Sequence, residues 1–389
     1  MRKTRRVLML LLAVTLILAL VACGGNNNTP NNAPDTNAPM PNAPGSSPSP
    51  SSPSAPAPGS NAPAESQPPV DNTVYEFKFA CDDPKGAAIS NVMDAWAADI
   101  LEASNGRLNI VIYYGGVLGA QSEQLNMLEQ GSIDFCTVGM NHAPGRSPFT
   151  EVFNIPALQY KDPMQVAKAL DYMLKNNSNI ADEIKNVKVI GYRTSMLTPI
   201  GHKGAPWKTL ADMKGVAVNA SSLAVTAFVS ELGMVPVNVP LPDRYEGLSK
   251  GVISAVTSDW NALNSFSLIE QIDSIMDTHV TIQVNFVSMS WAAWNKLPAD
   301  LQDILMERSG QLAQDFCNAW DDIMKVILQQ AKDLNVQIYD TPPEIETAMV
   351  TAGEAAKQAY IEYLQGKSTG VDCAAYVAEV QAALDRFKS

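Results

Sequence analysis

Residues 207–260 restrict the fold most, because strands and helices alternate there with a turn signal at every joint. The run W-K-T-L-A-D-M-K-G over 207–215 reads as a polar turn and a short helix closed by a glycine, and 216–219 then alternates as a half-buried strand does. Residues 221–232 carry Leu223, Val225, Ala227, Phe228 and Leu232 at helical spacing and stop at Gly233. A second strand fits 235–239 until Pro240 and Pro242 break it. A short helix over 244–250 ends at Gly251, and a third strand covers 252–257. In open α/β sheets ligands sit beyond the carboxyl ends of the strands, which makes Asn219, Ser258, Asp259 and Trp260 candidate pocket residues. A tryptophan just past a strand packs a core as readily as it faces a ligand, and both readings of Trp260 stand.

The device recurs. Residues 127–130, Gly131 and a strand over 133–139 mirror 248–250, Gly251 and V-I-S-A-V-T, so the chain has two α/β lobes. At 389 residues and 46% apolar content it has room for both. The first lobe opens with a strand over 74–80, the loop C-D-D-P-K-G and a helix over 87–103, with Trp96 and Ile100 on one face. A strand over 107–113 leads into Y-G-G-V-L-G, which lacks both the P-loop lysine and the dinucleotide spacing and reads as a turn. Strand ends and crossovers add Asp82, Met140, Asn141, Arg193, Ser195 and Asn285 to the ligand-binding candidates. A strand over 281–290 returns to the first lobe, and one long helix fits 299–334. A strand over 336–339 and helices over 344–364 and 374–387 follow. Lobe 1 is thus expected to hold 74–195 plus about 281–335, and lobe 2 to hold 196–280 plus part of 336–389.

The N-terminal region has another composition. Arg2, Lys3, Arg5 and Arg6 precede an apolar run over 7–22, the layout of a secretory signal peptide over residues 1–22. Residues 23–73 are almost wholly Asn, Pro, Ala, Ser and Gly, a disordered tether spanning roughly 40 Å for its approximately 50 residues. Removing the leader, with four basic and no acidic residues, takes the formal charge from -13 to -17, which argues against nucleic-acid binding. Cys81, Cys136, Cys317 and Cys373 lack the close pairs of a zinc or redox site and read as buried thiols, although export permits disulfides. His142, His202 and His279 show no metal-ligand spacing, so neither a metal nor a cofactor is expected.

Several segments resemble the solute-binding proteins of TRAP transporters, the DctP-like family. They are N-G-R-L-N-I-V-I-Y-Y-G-G-V-L-G, L-E-Q-G-S-I-D-F, I-P-A-L-Q-Y, D-M-K-G-V-A-V-N, L-G-M-V-P-V-N-V-P, Y-E-G-L-S-K-G-V-I-S and W-N-K-L-P-A-D-L-Q. Their order covers nearly all of the chain after Val74. L-V-A-C ending at Cys23 resembles a bacterial lipobox, which implies a lipoprotein anchored through Cys23; an uncleaved membrane anchor is the other reading. The resemblance implies a two-lobe periplasmic-binding-protein (Venus-flytrap) fold braced by a long lobe-spanning helix. It also implies an extracytoplasmic, lipid-anchored protein that closes on a small organic solute and delivers it to TRAP membrane subunits, without catalysis. An ABC importer or a sensor kinase as partner, or an extracytoplasmic enzyme, are the alternatives. The family's carboxylate-binding arginine at the end of the D-x-K-G strand is replaced here by Asn219, and a second family arginine falls near Thr198. An amide does not neutralise an anion. The solute is therefore neutral, or an acid anchored elsewhere, by Arg193 or less directly by Arg146.

Overall fold

The computed structural model describes residues 72–139, 145–156, 158, 160–368 and 370–388. The expectations for the signal peptide, Cys23, the tether, Met140 and Asn141 lie outside these residues. Two sheets form the framework. The first holds β1 (Tyr75–Ala80), β2 (Leu108–Tyr113), β3 (Phe135–Gly139), β4 (Val187–Thr194) and β10 (Val284–Ser290) in the order β2-β1-β3-β10-β4. The second holds β5 (Ile200–His202), β6 (Ala217–Asn219), β7 (Val235–Val237), β8 (Ala255–Thr257), β9 (Ser274–Asp277) and β11 (Gln337–Asp340) in the order β11-β9-β5-β8-β6-β7. Each sheet is parallel apart from the one strand that enters from the other lobe. In the first, β10 runs antiparallel to β3 and β4; in the second, β5 runs antiparallel to β8 and β9.

The β6 to β7 unit shows how the sequence builds this pattern. Ser222 caps the intervening Leu223–Glu231 helix by accepting the Val225 N–H at 3.2 Å. Phe228 and Val229 bury its inner face, and Gly233 at φ +78° turns the chain into β7. The strands of the second sheet are shorter than expected. β7 ends at Val237, short of Val239, and β8 begins at Ala255 because Val252 and Ile253 turn their N–H groups back to the Gly247 carbonyl.

The single helix expected over 299–334 is two, Ala299–Ser309 and Leu312–Asp333. Gly310 donates back to Glu307 O at 3.2 Å, ending the first ladder. Ser309 Oγ donates to Leu305 O (2.6 Å) and accepts from Trp96 Nε1 (3.0 Å), which ties the break to the Ala88–Ala103 helix. The second helix buries Leu312, Phe316, Trp320, Ile323, Ile327 and Ala331, one residue every three or four. It packs on β4 and the Ala88–Ala103 helix at one end and on the Trp260–Ser265 helix and β11 at the other, so it braces both sheets.

Two connections cross between the sheets side by side. Ser195 N donates to Gln283 O (2.8 Å), and Thr198 and Val280 are joined by the bond from Val280 N to Thr198 O at 3.0 Å. This paired ribbon is short. Among the described residues no helix is long and apolar enough to cross a membrane.

Candidate functional site

The carboxyl ends of the parallel strands bring charged groups from both sheets together. In the first sheet, β1 runs into Cys81, Asp82 and Asp83. Arg193, near the end of β4, places Nη1 3.1 Å from Asp83 Oδ2, with the two side chains only 16% and 21% exposed. Its guanidinium lies 5.9 Å from the Phe316 ring centre, and its buried Nε has no partner among the described residues. Arg193 is therefore a positioned cation and not a solvated one. Asn285, buried on β10, lies opposite Arg193 on one side and Gly139 on the other. Asp82 Oδ1 accepts from Gln124 Nε2 at 2.8 Å. Burial, with the charge of Asp83, raises the Asp82 carboxyl to about 6, against the Gln124 hydrogen bond and Arg193.

The second sheet contributes Arg244, at the start of the Arg244–Ser249 helix. It is buried, donating Nε to Val239 O (3.1 Å) and Nη1 to Ser258 Oγ (2.9 Å). Burial lowers it to about 10, with Asp259 opposing, so it remains a cation at neutral pH. Asp259 caps the Trp260–Ser265 helix by accepting the Ala262 N–H at 2.9 Å. Burial raises its carboxyl; the cap bond, Arg193 and Arg244 oppose that. The fields of a first-sheet and a second-sheet arginine thus meet on one carboxylate.

Other candidates have different work. Asn219 is fully buried, its Oδ1 accepting the Val239 N–H at 3.0 Å and its main-chain carbonyl accepting from Thr257 Oγ1 at 2.8 Å; Nδ2 has no partner among the described residues. The amide holds Val239 while the Val239 carbonyl holds Arg244, so Asn219 positions the cation from behind. Trp260 is 3% exposed and packs in the core. Ser195 Oγ accepts the Gln283 N–H at 2.9 Å and donates to Met196 O at 2.8 Å, which ties the two crossing connections together. Thr198 lies buried in the same ribbon. Arg146 is committed to Glu129 and Asn126, both at 2.8 Å. Among the described residues no group of three or more His, Cys, Asp or Glu is placed to hold a metal.

Sequence reasoning passed over Arg244 and Asp83. The available signal for Arg244 was its place just beyond the carboxyl end of β7, the side on which α/β sheets bind.

The four described cysteines are free thiols, and burial raises Cys81 to about 11 and Cys136 further. We expect reductant to leave the melting temperature unchanged and iodoacetamide to label Cys81 and Cys136 only after denaturation; rapid labelling of the folded protein would contradict this.

A model of the DctP family, bacterial extracellular solute-binding protein family 7, matches residues 81–363. The 2,3-diketo-L-gulonate-binding periplasmic protein YiaO of Escherichia coli K12 is 26% identical over 207 residues, 53% of this chain and 62% of that protein. The alignment thus spans under two thirds of that relative. A marine metagenome TRAP solute binding protein specific for aromatic acid ligands, crystallised with 3-hydroxybenzoate, superposes with a TM-score of 0.73 at 22% identity, over 82% of this chain and 100% of that one. A TRAP periplasmic solute binding protein from Chromohalobacter salexigens with bound D-glucuronate gives 0.69 at 18% identity, over 79% and 99%.

Proposed function

Because the chain belongs to bacterial extracellular solute-binding protein family 7, a family of binding proteins and not of enzymes, we propose that its two lobes close on a small organic acid. Arg244 serves in place of the arginine that Asn219 replaces. The observation that carries this reading is the pair of buried, hydrogen-bonded arginines beyond the strand ends, Arg193 held by Asp83 in the first sheet and Arg244 by Val239 O and Ser258 Oγ in the second. Closure of the lobes brings both guanidiniums against one solute, and a guanidinium fork pairs with a carboxylate through two parallel charge-assisted bonds. Arg244 keeps Nη2 without a hydrogen-bond partner among the described residues, available for such a bond. The acids in the structural neighbours, 3-hydroxybenzoate and D-glucuronate, are consistent with that chemistry.

We further propose that the protein is anchored by a lipid on Cys23 and hands its solute to TRAP membrane subunits. The tether over residues 23–73 gives the domain reach from the membrane surface.

A thermal-shift screen of carboxylic acids against their amides and esters tests the solute class. Ligand at about a thousand times its Kd should stabilise the fold by roughly 4 kcal/mol. Acids are expected to shift the melting temperature and their amides are not; the reverse pattern would make the solute neutral. Arg193→Ala should weaken the selected acid about tenfold or more. Unchanged affinity would remove Arg193 from the site.

A further inference from the structure

We propose that the solute carries a cationic nitrogen as well as its acid group, and that Asp82 receives that nitrogen. The inference rests on the organic-acid reading above and narrows it to amino acids in the broad chemical sense.

Charge balance is the first argument. Each guanidinium at the site already faces an acid: Arg193 pairs with Asp83 at 3.1 Å, and Arg244 acts on Asp259. Asp82 is then a third carboxylate beside two cations. The cation that acts on it is Arg193, which Asp83 already holds. A simple carboxylate entering the site would set four negative groups against two positive ones, in surroundings where burial strengthens every unbalanced charge. A zwitterion adds one charge of each sign, and it leaves the balance as it was.

Hydrogen-bond balance points the same way. Asp82 Oδ1 takes one N–H from Gln124, while Oδ2 has no donor among the described residues. Gln124 is 1% exposed, and its Oε1 is likewise without a donor. The joined carboxylate and amide thus hold one open acceptor oxygen on Asp82 and one buried, unpaired acceptor on Gln124. An ammonium supplies three donors and no acceptor. The raised Asp82 carboxyl agrees, since a half-buried carboxylate beside a second acid gains from a cation placed against it.

The test uses the full chain in detergent and matched probe pairs that differ by an amine: γ-aminobutyrate with butyrate, meta-aminomethylbenzoate with meta-toluate, and serine with 3-hydroxypropanoate. Melting shifts select the responding pair, and calorimetry gives its affinity ratio. The amino member of at least one pair is expected to bind about tenfold tighter or more. In Asp82→Asn that advantage should vanish, both members binding alike. A merely structural Asp82 would change both affinities and leave their ratio intact. Plain acids binding as well as their amino partners would overturn the ammonium proposal and leave the organic-acid reading standing. No response to either member of any pair, with amides or esters binding instead, would overturn both.

Discussion

Arg244→Ala is expected to cost both affinity and stability. The guanidinium joins the Val239 carbonyl (3.1 Å) and Ser258 Oγ (2.9 Å), and its charge acts on Asp259. Removing it strands a carboxylate that burial already disfavours and frees the Val239 carbonyl. Leaving the buried Val239 carbonyl and Ser258 Oγ without this donor costs about 1–3 kcal/mol, and the lost field on Asp259 adds to it. Solute affinity should fall about a hundredfold or more, the scale of one lost charge-assisted contact. Arg244→Lys should recover little, because an ammonium does not span both acceptors as the planar fork does. Urea unfolding of Arg244→Ala, Asp259→Asn and the double variant checks the pairing. If the two act together, the double variant loses less than the two single losses combined; strict additivity would show that they do not.

The sequence carried the fold further than the site. The β6 to β7 unit was legible because its cap and terminating glycine are local signals, and β10 lies within the strand expected over 281–290. The break at Gly310 was not legible, since one glycine in a helical pattern fixes nothing until Trp96 from 213 residues away donates to Ser309. Among candidate site residues, Asp259 was legible by its place at a strand end and Arg193 by its place in the G-Y-R-T-S crossover segment, and the proposed site uses both. Asn219 stood at the right strand end too, yet its amide is used on Val239, a contact that depends on how the loop after β7 folds back. Arg244 was missed for the same reason: its partners are a main-chain carbonyl and a serine hydroxyl, which leave no pattern of charge or spacing. What stays hidden in a sequence is the direction of each side chain, and the division between supporting and contacting residues rests on that.

The second large effect lies outside the site, at Glu183. This residue ends the Ser178–Glu183 helix and accepts from Phe149 N (2.7 Å), Thr150 N (2.8 Å) and Thr150 Oγ1 (2.7 Å). It thereby fixes the segment whose Pro148 and Phe149 carbonyls accept from Tyr360 and Tyr376 of the two C-terminal helices. Burial, assisted by the charge of Glu151, raises the carboxyl from the ordinary 4.5 to about 7, although the three donors pull the other way. A carboxyl raised on folding binds more protons in the folded state, so its contribution is full below about 4.5 and is lost as the pH rises through about 7. At about 1.4 kcal/mol per pH unit, the loss across that window is about 3 kcal/mol. Asp82, raised to about 6, gives a slope of the same sign, smaller because water reaches its side chain. Urea midpoints from about pH 4 to about pH 8 should therefore decline in the wild type. Glu183→Gln, uncharged and keeping one acceptor oxygen, should show a clearly shallower slope, the remainder coming from Asp82 and the other raised carboxyls such as Asp259, whereas Glu183→Ala leaves three donors unpaired and should cost about 3 kcal/mol or more at every pH. Equal slopes in the wild type and Glu183→Gln would place the titrating group elsewhere, because the Gln substitution removes the charge, and the cost of setting its amide nitrogen against one of the donors from Phe149 and Thr150 does not vary with pH.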